Sequence, residues 1–178
     1  MPASVEIVRI ALQAYGNGDC EIALALADPL IRWDERASRP DGDLVWKHEA
    51  VQRAMRRYLD SWQRYDFQLE EIAEVTPGKV VGICRERGID ADGVSVDRRF
   101  GGLWVIEEGK IVSWSTYLTP KEAVRAAREL GASGRFTPER RDPAQAKRKP
   151  QAKRKPEAKR KPQAKRKQQA KQTRKSVA

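Results

Sequence analysis

The apolar residues of the first sixty positions recur mostly at the spacing of a helix. Two stripes follow the i, i+3, i+4 pattern, and their members are Val5, Val8, Ala11, Leu12 and Tyr15, then Val51, Ala54, Met55, Tyr58, Leu59 and Trp62. Between the stripes, Asp19 is a good N-cap for a short second helix through Ala27. Leu30–Glu35 is a short β-rich run, which the polar loop Arg36–Asp43 follows. The first part of the chain is therefore predicted to form three helices and one strand.

The pattern changes to that of strands from Phe67 onward. Turn signals such as Pro77-Gly78 and Glu108-Gly109 separate four β-type segments, at 67–76, 79–87, 94–107 and 110–118. These segments predict an antiparallel meander. Thr119-Pro120-Lys121-Glu122 then combines an N-cap Thr, a Pro in the first helical position and a Glu at N3, a capping box that opens a helix to Leu130. Helices followed by a run of strands imply an α+β fold, with helices packed on one face of a curved antiparallel sheet.

The positive charge of the chain is concentrated at its C-terminal end. Residues 139–178 hold 17 of the 36 Lys and Arg residues and three acids, whereas residues 1–138 hold 19 bases and 22 acids. Gln145–Gln168 reads QAKRKP, QAKRKP, EAKRKP, QAKRKQ, a repeat without large apolar residues. Such a segment cannot bury a core, so we expect it to be disordered when free. The sequence thus predicts a domain over 1–130, a linker over 131–144 and a basic tail over 145–178.

The tail is similar in composition to the Lys/Pro/Ala-rich tails of linker-histone-like bacterial nucleoid proteins. Its basic side chains can neutralise phosphates and release counterions, which predicts salt-sensitive binding to nucleic acid without sequence preference. The residues predicted to do so are Lys147, Arg148, Lys149, Lys153, Arg154, Lys155, Lys159, Arg160, Lys161, Lys165, Arg166 and Lys167. The alternative is a solvated extension that binds any polyanion weakly.

Several classes of protein are excluded by composition. The longest apolar stretches, such as Ile22–Ala27, are far shorter than the roughly 20 residues of a bilayer-spanning helix. The N-terminus has no basic region before its apolar residues, so we expect a cytoplasmic protein. The similarity of the tail to those of bacterial nucleoid proteins implies a bacterial protein, associated with the nucleoid if the tail binds DNA. With only Cys20, Cys84 and His48, one chain cannot assemble a disulfide framework or a Cys/His zinc site. We expect neither a metal nor another cofactor, and no phosphate loop or GxGxxG occurs.

Four short motifs carry a family resemblance over residues 4–130. They are Ala14-Tyr15-Gly16-Asn17-Gly18-Asp19, Ile31-Arg32-Trp33-Asp34, His48-Glu49-Ala50-Val51, and the stretch from Leu103 to Val112. In this order they resemble the SnoaL-like branch of the nuclear-transport-factor-two-like superfamily. The resemblance implies a cone-shaped sheet closed by helices, with a hydrophobic pocket inside the cone. One departure is Lys47, where the family usually has a Gly before the central helix.

The resemblance also implies candidate catalytic residues. Asp34 matches the strand position at which enzymes similar to ketosteroid isomerase keep a proton-shuttling carboxylate, and an apolar cavity would raise its pKa. The Tyr and the acid that hold the oxyanion in those enzymes are Ala11 and Gly101 here. Arg99, with Asp97 on the same strand face, is similar in residue type to the carboxylates and arginine of limonene-epoxide hydrolase relatives. The alternative for Asp34 and Arg99 is a plain ion pair at the mouth of the cone.

The predicted site therefore has two catalytic candidates and a larger lining. The catalytic candidates are Asp34 and Arg99, and the expected pocket-lining residues are Tyr15, Trp33, Tyr58, Trp62, Asp97, Trp114, Thr116 and Leu118. If Asp97 and Arg99 face the cavity, Phe100, Trp104 and Ile106 form an apolar patch on the outer sheet face, which predicts a homodimer.

Two functions follow from this interpretation. The first is a pocket domain for a hydrophobic small molecule, tethered to nucleic acid by the tail. The second is an enzyme, an isomerase, cyclase or epoxide-hydrolase-like protein, with Asp34 as general base. The absence of the oxyanion-holding pair favours the first, although the fold alone cannot decide between them.

Overall fold

The computed structural model describes residues 3–39 and 41–132 and confirms an α+β fold. Four helices and six strands follow one another in the order α1 (Ala3–Gly16), α2 (Cys20–Ala25), β1 (Ala27–Ala37), β2 (Leu44–Trp46), α3 (His48–Asp60), β3 (Trp62–Thr76), β4 (Lys79–Asp90), β5 (Ser95–Glu107), β6 (Lys110–Tyr117) and α4 (Pro120–Ala132). The predicted basic tail and nearly all of the predicted linker lie outside the described residues.

The strands form one sheet in the order β2-β1-β6-β5-β4-β3. The four consecutive strands β3 to β6 pair antiparallel, as the meander prediction requires. β1 pairs antiparallel with β2 but parallel with β6. This parallel pair places Trp33 beside Trp114, and the β5–β6 register places Trp104 on the other side of Trp114. Three tryptophans of distant sequence positions thus meet across the middle of the sheet.

The sheet has an inner face, which α1 and α3 cover, and an outer face, which α4 partly covers. The main core lies on the inner side and includes Val8, Leu12, Met55 and Trp104. A smaller apolar cluster, containing Val81, Leu103, Ala123 and Ala127, joins the outer face to α4. We refer to the space between the inner sheet face and the two helices α1 and α3 as the cone interior.

Local sequence signals set the starts of two helices, α2 and α4. The Asp19 carboxylate accepts a hydrogen bond from the Ile22 N–H at 2.9 Å, which confirms the predicted N-cap of α2. The capping box of α4 is also formed, because Thr119 N donates to the Glu122 carboxylate at 3.0 Å and Glu122 N donates to the Thr119 hydroxyl at 3.3 Å.

Three boundaries differ from the sequence predictions. Trp62 opens β3 instead of closing the central helix, since α3 ends at Asp60. The second helix, predicted through Ala27, ends at Ala25, and β1 begins at Ala27. α4 continues through Gly131 to Ala132. Among the described residues, no helix has the length and apolar character needed to span a membrane.

Candidate functional site

Aromatic side chains from six elements enclose a small cavity in the cone interior. Its lining consists of Leu12, Tyr15, Trp33, Glu35, Tyr58, Tyr65, Phe67, Cys84, Glu86, Arg98, Phe100, Trp104, Trp114 and Thr116. Trp33 and Trp114 stack with ring planes 12° apart, and Tyr15 meets the Trp114 ring edge-on at 5.4 Å. About 20 Å³ is open to the centres of water-sized molecules, which is room for roughly one water. We call this space the inner cavity.

The polar side chains of the inner cavity converge on one buried carboxylate, that of Glu86 on β4. It is 2% exposed. Tyr58 donates a hydrogen bond to it at 2.8 Å, Tyr65 donates at 3.3 Å, and the Arg98 guanidinium contributes Nε at 2.8 Å and Nη2 at 2.6 Å. A buried carboxylate requires such compensation, because an unpaired charge in this environment is costly. Burial, with the nearby charge of Glu86, raises the pKa of both tyrosines above the ordinary value of 10.0.

A second buried carboxylate, Glu35 of β1, faces the same cavity. Its partner is Arg39, which lies in the turn after β1 and places its guanidinium 4.4 Å from the centre of the Tyr58 ring. Burial raises the pKa of Glu35 above 4.5, the charge of Arg39 opposes this, and the charge of Glu86 adds to the rise. Glu35 therefore holds its proton to a higher pH than an exposed glutamate does.

A wider groove adjoins the inner cavity on the side of the β1 turn. It offers about 240 Å³ and is lined by Arg39, Tyr58, Ser61, Trp62, Glu86, Asp90, Val96 and Arg98. Tyr58, Glu86 and Arg98 line both spaces. We call this space the outer groove.

Four buried N–H groups around these two spaces have no hydrogen-bond partner within the described part of the chain. They are the indole Nε1 atoms of Trp33 and Trp104, two residues that line the inner cavity, together with Trp62 Nε1 and Arg39 Nε, which belong to two residues that line the outer groove. Buried donors in folded proteins nearly always find an acceptor. The cluster of orphan donors therefore favours oxygen atoms as occupants of the two spaces.

The described residues contain no group of three or more His, Cys, Asp or Glu side chains arranged to hold a metal ion. Glu35 and Glu86, the two carboxylates of the cone interior, are instead paired with Arg39 and Arg98. The chemistry that this arrangement can offer is hydrogen bonding and proton transfer.

Solved structures with the same architecture include proteins of unknown function and an enzyme. An NTF2-like protein of Burkholderia thailandensis has 25% sequence identity and a TM-score of 0.60, and the match covers 73% of this chain and 100% of that one. An NTF2-like protein of unknown function from Burkholderia pseudomallei has 22% identity and a TM-score of 0.58, covering 70% and 97%. The fold is NTF2-like. An LEH-like epoxide hydrolase of M. tuberculosis shares it at 15% identity, with a TM-score of 0.52 and coverage of 71% and 90%. No protein-family model matches the chain, and no curated protein matches it in sequence.

Asp34 does not face the interior of this NTF2-like domain, and the prediction that a cavity raises its pKa is wrong. Successive residues of a strand point to opposite faces, so Trp33 and Glu35 point inward while Asp34 points outward between Arg32 and Arg36. Burial alone would raise the pKa of Asp34, but the hydrogen bonds and charges of the two arginines hold it below 3.8. Asp34 is an ion-paired residue of the outer face.

The predicted orientation of β5 is also wrong. Arg99 is half exposed and pairs through Nε with Glu70 at 2.6 Å, and Asp97 is similarly exposed and accepts from Arg85 at 2.7 Å. Both belong to the outer face of the NTF2-like sheet, because the inward positions of β5 are Arg98, Phe100 and Trp104. Asp97 and Arg99 thus form surface ion pairs and do not line the cavity.

The remaining predicted residues divide into those around the site and those away from it. The structure places Tyr15, Trp33, Tyr58, Trp114 and Thr116 around the inner cavity and Trp62 at the outer groove. Leu118 follows β6, is 57% exposed and lines neither space. The predicted nucleic-acid-binding residues, from Lys147 to Lys167, lie outside the described residues.

Sequence reasoning missed the charged residues of the site, namely Glu35, Arg39, Glu86 and Arg98. A signal was present for two of them: Glu35 lies two positions after Trp33 and Arg98 two before Phe100, so each shares a strand face with an aromatic residue. For Glu86 and Arg39 the chain offered no local signal, because their partners come from other elements.

The apolar outer patch predicted from β5 does not exist in this form. Phe100 and Trp104 pack in the core at 6% and 1% exposure, and Ile106 packs against the same cluster. The argument that led to a homodimer is therefore wrong, and a homodimer itself stays a prediction.

Proposed function

We propose that the cone interior binds a neutral, oxygen-bearing hydrophobic small molecule and that the basic tail tethers the protein to nucleic acid. The observation that carries the first part is the cluster of orphan donors around the inner cavity and outer groove, at Trp33, Trp104, Trp62 and Arg39. A ligand with a carbonyl, ether or hydroxyl oxygen supplies the missing acceptors, while aromatic walls bury its hydrocarbon part.

The charge balance of the site supports a neutral ligand. Two guanidinium groups, of Arg39 and Arg98, pair with the two carboxylates of Glu35 and Glu86. The third carboxylate of the lining, Asp90, accepts hydrogen bonds from the backbone N–H groups of Asp92 and Val94. A ligand that brings a further charge into this buried network would need a counter-charge of its own. Without one, the free-energy cost of desolvating the charge exceeds the free energy gained from the ligand's contacts.

The binding proposal is tested with acetophenone and ethylbenzene, which have similar size and differ in a carbonyl oxygen. Proton–nitrogen NMR of the full chain reports each indole N–H separately. Acetophenone is expected to shift the N–H resonances of Trp33, Trp62 or Trp104 and to leave that of Trp46, which lines neither space, in place. Equal shifts with ethylbenzene, or no shift with either compound, contradict the proposal.

The tether proposal is supported by the sequence of the tail, in which each six-residue unit carries three consecutive basic residues. We expect the full chain to bind duplex DNA with an affinity that falls steeply between low and near-physiological salt. A chain ending at Phe136 should lose this binding. Equal binding by both chains, or none by the full chain at near-physiological salt, rejects the tether.

Acid–base catalysis in the same cavity is a second candidate function. It is favoured by Glu35, a buried carboxyl whose pKa burial raises, at the wall of an aromatic cavity. An acid of this kind can donate its proton to the oxygen of a small ring as the C–O bond of the ring breaks and water attacks the carbon. The added water then returns a proton to the carboxylate, so the product is a diol. The structural neighbour from M. tuberculosis, an LEH-like epoxide hydrolase, makes an epoxide the first substrate to test.

The catalytic candidate is tested by incubating the full chain with styrene oxide and measuring the diol by chromatography. Glu35→Gln should abolish turnover, whereas Asp34→Asn, a matched change of the neighbouring residue on the outer face, should keep it. Turnover that survives Glu35→Gln removes Glu35 as the acid, and absence of turnover in the unaltered protein rejects hydrolysis of this epoxide.

A further inference from the structure

The ion pair of Glu35 and Arg39 lies where the inner cavity and the outer groove meet. Glu35 lines only the inner cavity, and Arg39 lines only the outer groove. Tyr58, Glu86 and Arg98 line both, so the two spaces share a wall at which the pair stands. The inner cavity, with about 20 Å³, admits little more than a water, although the groove beside it offers about 240 Å³.

The side chain of Arg39 contacts Glu35 and Tyr58, and the charge of Asp41 also acts on it. It pairs with Glu35, lies over the Tyr58 ring, and has no partner for its Nε atom. Its exposed fraction is 21%, whereas that of Glu35 is 8%. Arg39 is thus the more accessible partner of the pair.

The backbone of Ser38 and Arg39 is held by contacts that do not involve the Arg39 side chain. Arg39 N donates to the Glu35 carbonyl at 3.1 Å, and the neighbouring Ser38 hydroxyl contacts the Thr116 hydroxyl at 2.7 Å. The Ser38 carbonyl also accepts from Arg98 at 3.5 Å. Rotation of the Arg39 side chain therefore breaks none of these three contacts.

We propose that Arg39 is a gate, and that rotation of its side chain away from Glu35 joins the outer groove and the inner cavity into one pocket. This inference rests on the proposed function, because a gate matters only if the cone admits a ligand. Arg39 then determines which molecules reach Trp33, Trp104 and Trp114, the tryptophans of the inner cavity. A ligand whose oxygen replaces the Glu35 carboxylate as the acceptor for Arg39 passes more readily than a hydrocarbon.

Cys84 provides a reporter of access that needs no ligand. It lines the inner cavity and is fully buried, and burial raises the pKa of its thiol. Cys20, on α2, is 2% exposed and lines neither space. Methyl methanethiosulfonate is a small uncharged thiol reagent, and mass spectrometry of peptides from the full chain reports both cysteines in one sample.

Arg39→Ala is expected to accelerate modification of Cys84 about tenfold, the factor that corresponds to loss of one charge-assisted hydrogen bond. Cys20 should keep its rate. Glu35→Gln, which leaves Arg39 in place but weakens its hold, should give a smaller acceleration of Cys84. The matched control is Arg36→Ala, because Arg36 lies in the same segment and pairs with Asp34 on the outer face. That variant should leave the rate at Cys84 unchanged.

Two results overturn the gate. One is an unchanged rate at Cys84 in both Arg39→Ala and Glu35→Gln. The other is equal acceleration of Cys20 and Cys84 in both variants, which reports general opening of the fold. The labelling contains no ligand, so a failure of acetophenone to bind rejects the proposed function without altering the result for the gate.

Discussion

Arg98 and Glu86 form a buried ion pair across the neighbouring strands β4 and β5, with 2.6 Å between Arg98 Nη2 and Glu86 Oε1. The register of the sheet places these residues opposite each other. Three donor side chains converge on one carboxylate, so removal of any of them leaves an acceptor buried without its partner. The polar centre of the cone is consequently also a major determinant of stability.

Removal of the arginine is expected to be costly. Arg98→Met keeps much of the side-chain volume but leaves Glu86 without its cation, and should lower the free energy of unfolding by about 3 kcal/mol. Arg99→Met changes the next residue, which is half exposed and paired with Glu70, and should cost less than about 1 kcal/mol. Urea denaturation of the two variants gives the comparison, and similar losses in both would contradict the buried pair.

The two tyrosines at Glu86 should differ in strength. Tyr58 donates at 2.8 Å and Tyr65 at 3.3 Å. Shorter hydrogen bonds to a charged acceptor are stronger, so Tyr58→Phe should cost about 1.5 to 3 kcal/mol and Tyr65→Phe about 1 kcal/mol. Thermal and urea unfolding measure the stability of both variants. A larger loss for Tyr65→Phe would show that Tyr65, and not Tyr58, makes the stronger hydrogen bond to Glu86 in solution.

Lys47 is a strained position that a glycine should relieve. It precedes α3 with φ at 75° and ψ at 142°, a conformation that only glycine adopts without strain, and its side chain makes no capping hydrogen bond. Lys47→Gly is expected to stabilise the fold by about 1 kcal/mol. Lys47→Ala, which keeps the Cβ atom, should change stability little. A Lys47→Gly variant that is less stable than the unaltered protein would contradict the prediction and show that the lysine side chain stabilises the fold.

The same position shows how far the sequence determines the fold. The family resemblance implied a Gly at position 47, and the backbone there has the conformation for which glycine is suited. Helix stripes and caps such as Asp19 and Thr119 are local, so they could be predicted. The parallel pairing of β1 with β6 could not, since strand propensity does not specify a partner.

The face of β5 was the point at which sequence reasoning about the site failed. Alternation fixed which residues share a face but not which face is inward. In the structure, Gly101 shows which face is outward, because a Cβ atom there would lie 2.8 Å from the Ala123 Cβ of α4, on the outer side. That contact joins residues far apart in the chain, and Asp97 and Arg99 follow Gly101 to the outer face.

Asp34 and Glu35 are adjacent in one strand, and their pKa values should be shifted in opposite directions from the ordinary values of these side chains. The pKa of Asp34 is lowered because Arg32 and Arg36 together outweigh the effect of burial. The pKa of Glu35 is raised because the effect of burial outweighs the charge of Arg39, so Glu35 keeps its proton to a higher pH. Carbon NMR of the side-chain carboxyl groups should therefore show Asp34 changing below pH 3.8 and Glu35 above pH 4.5.

The signs of the two stability contributions follow from these directions. Asp34 has a depressed pKa in the folded state, so its contribution is present above its unfolded pKa and is lost as the pH falls through the folded value. Asp34→Asn should destabilise the protein at neutral pH, by an amount that shrinks as the pH falls below 3.8. Glu35 has a raised pKa, so ionisation costs stability as the pH rises through the window that begins at 4.5. Urea unfolding across this range tests both, and a penalty for Asp34→Asn that does not vary with pH would contradict the ion-paired role of Asp34.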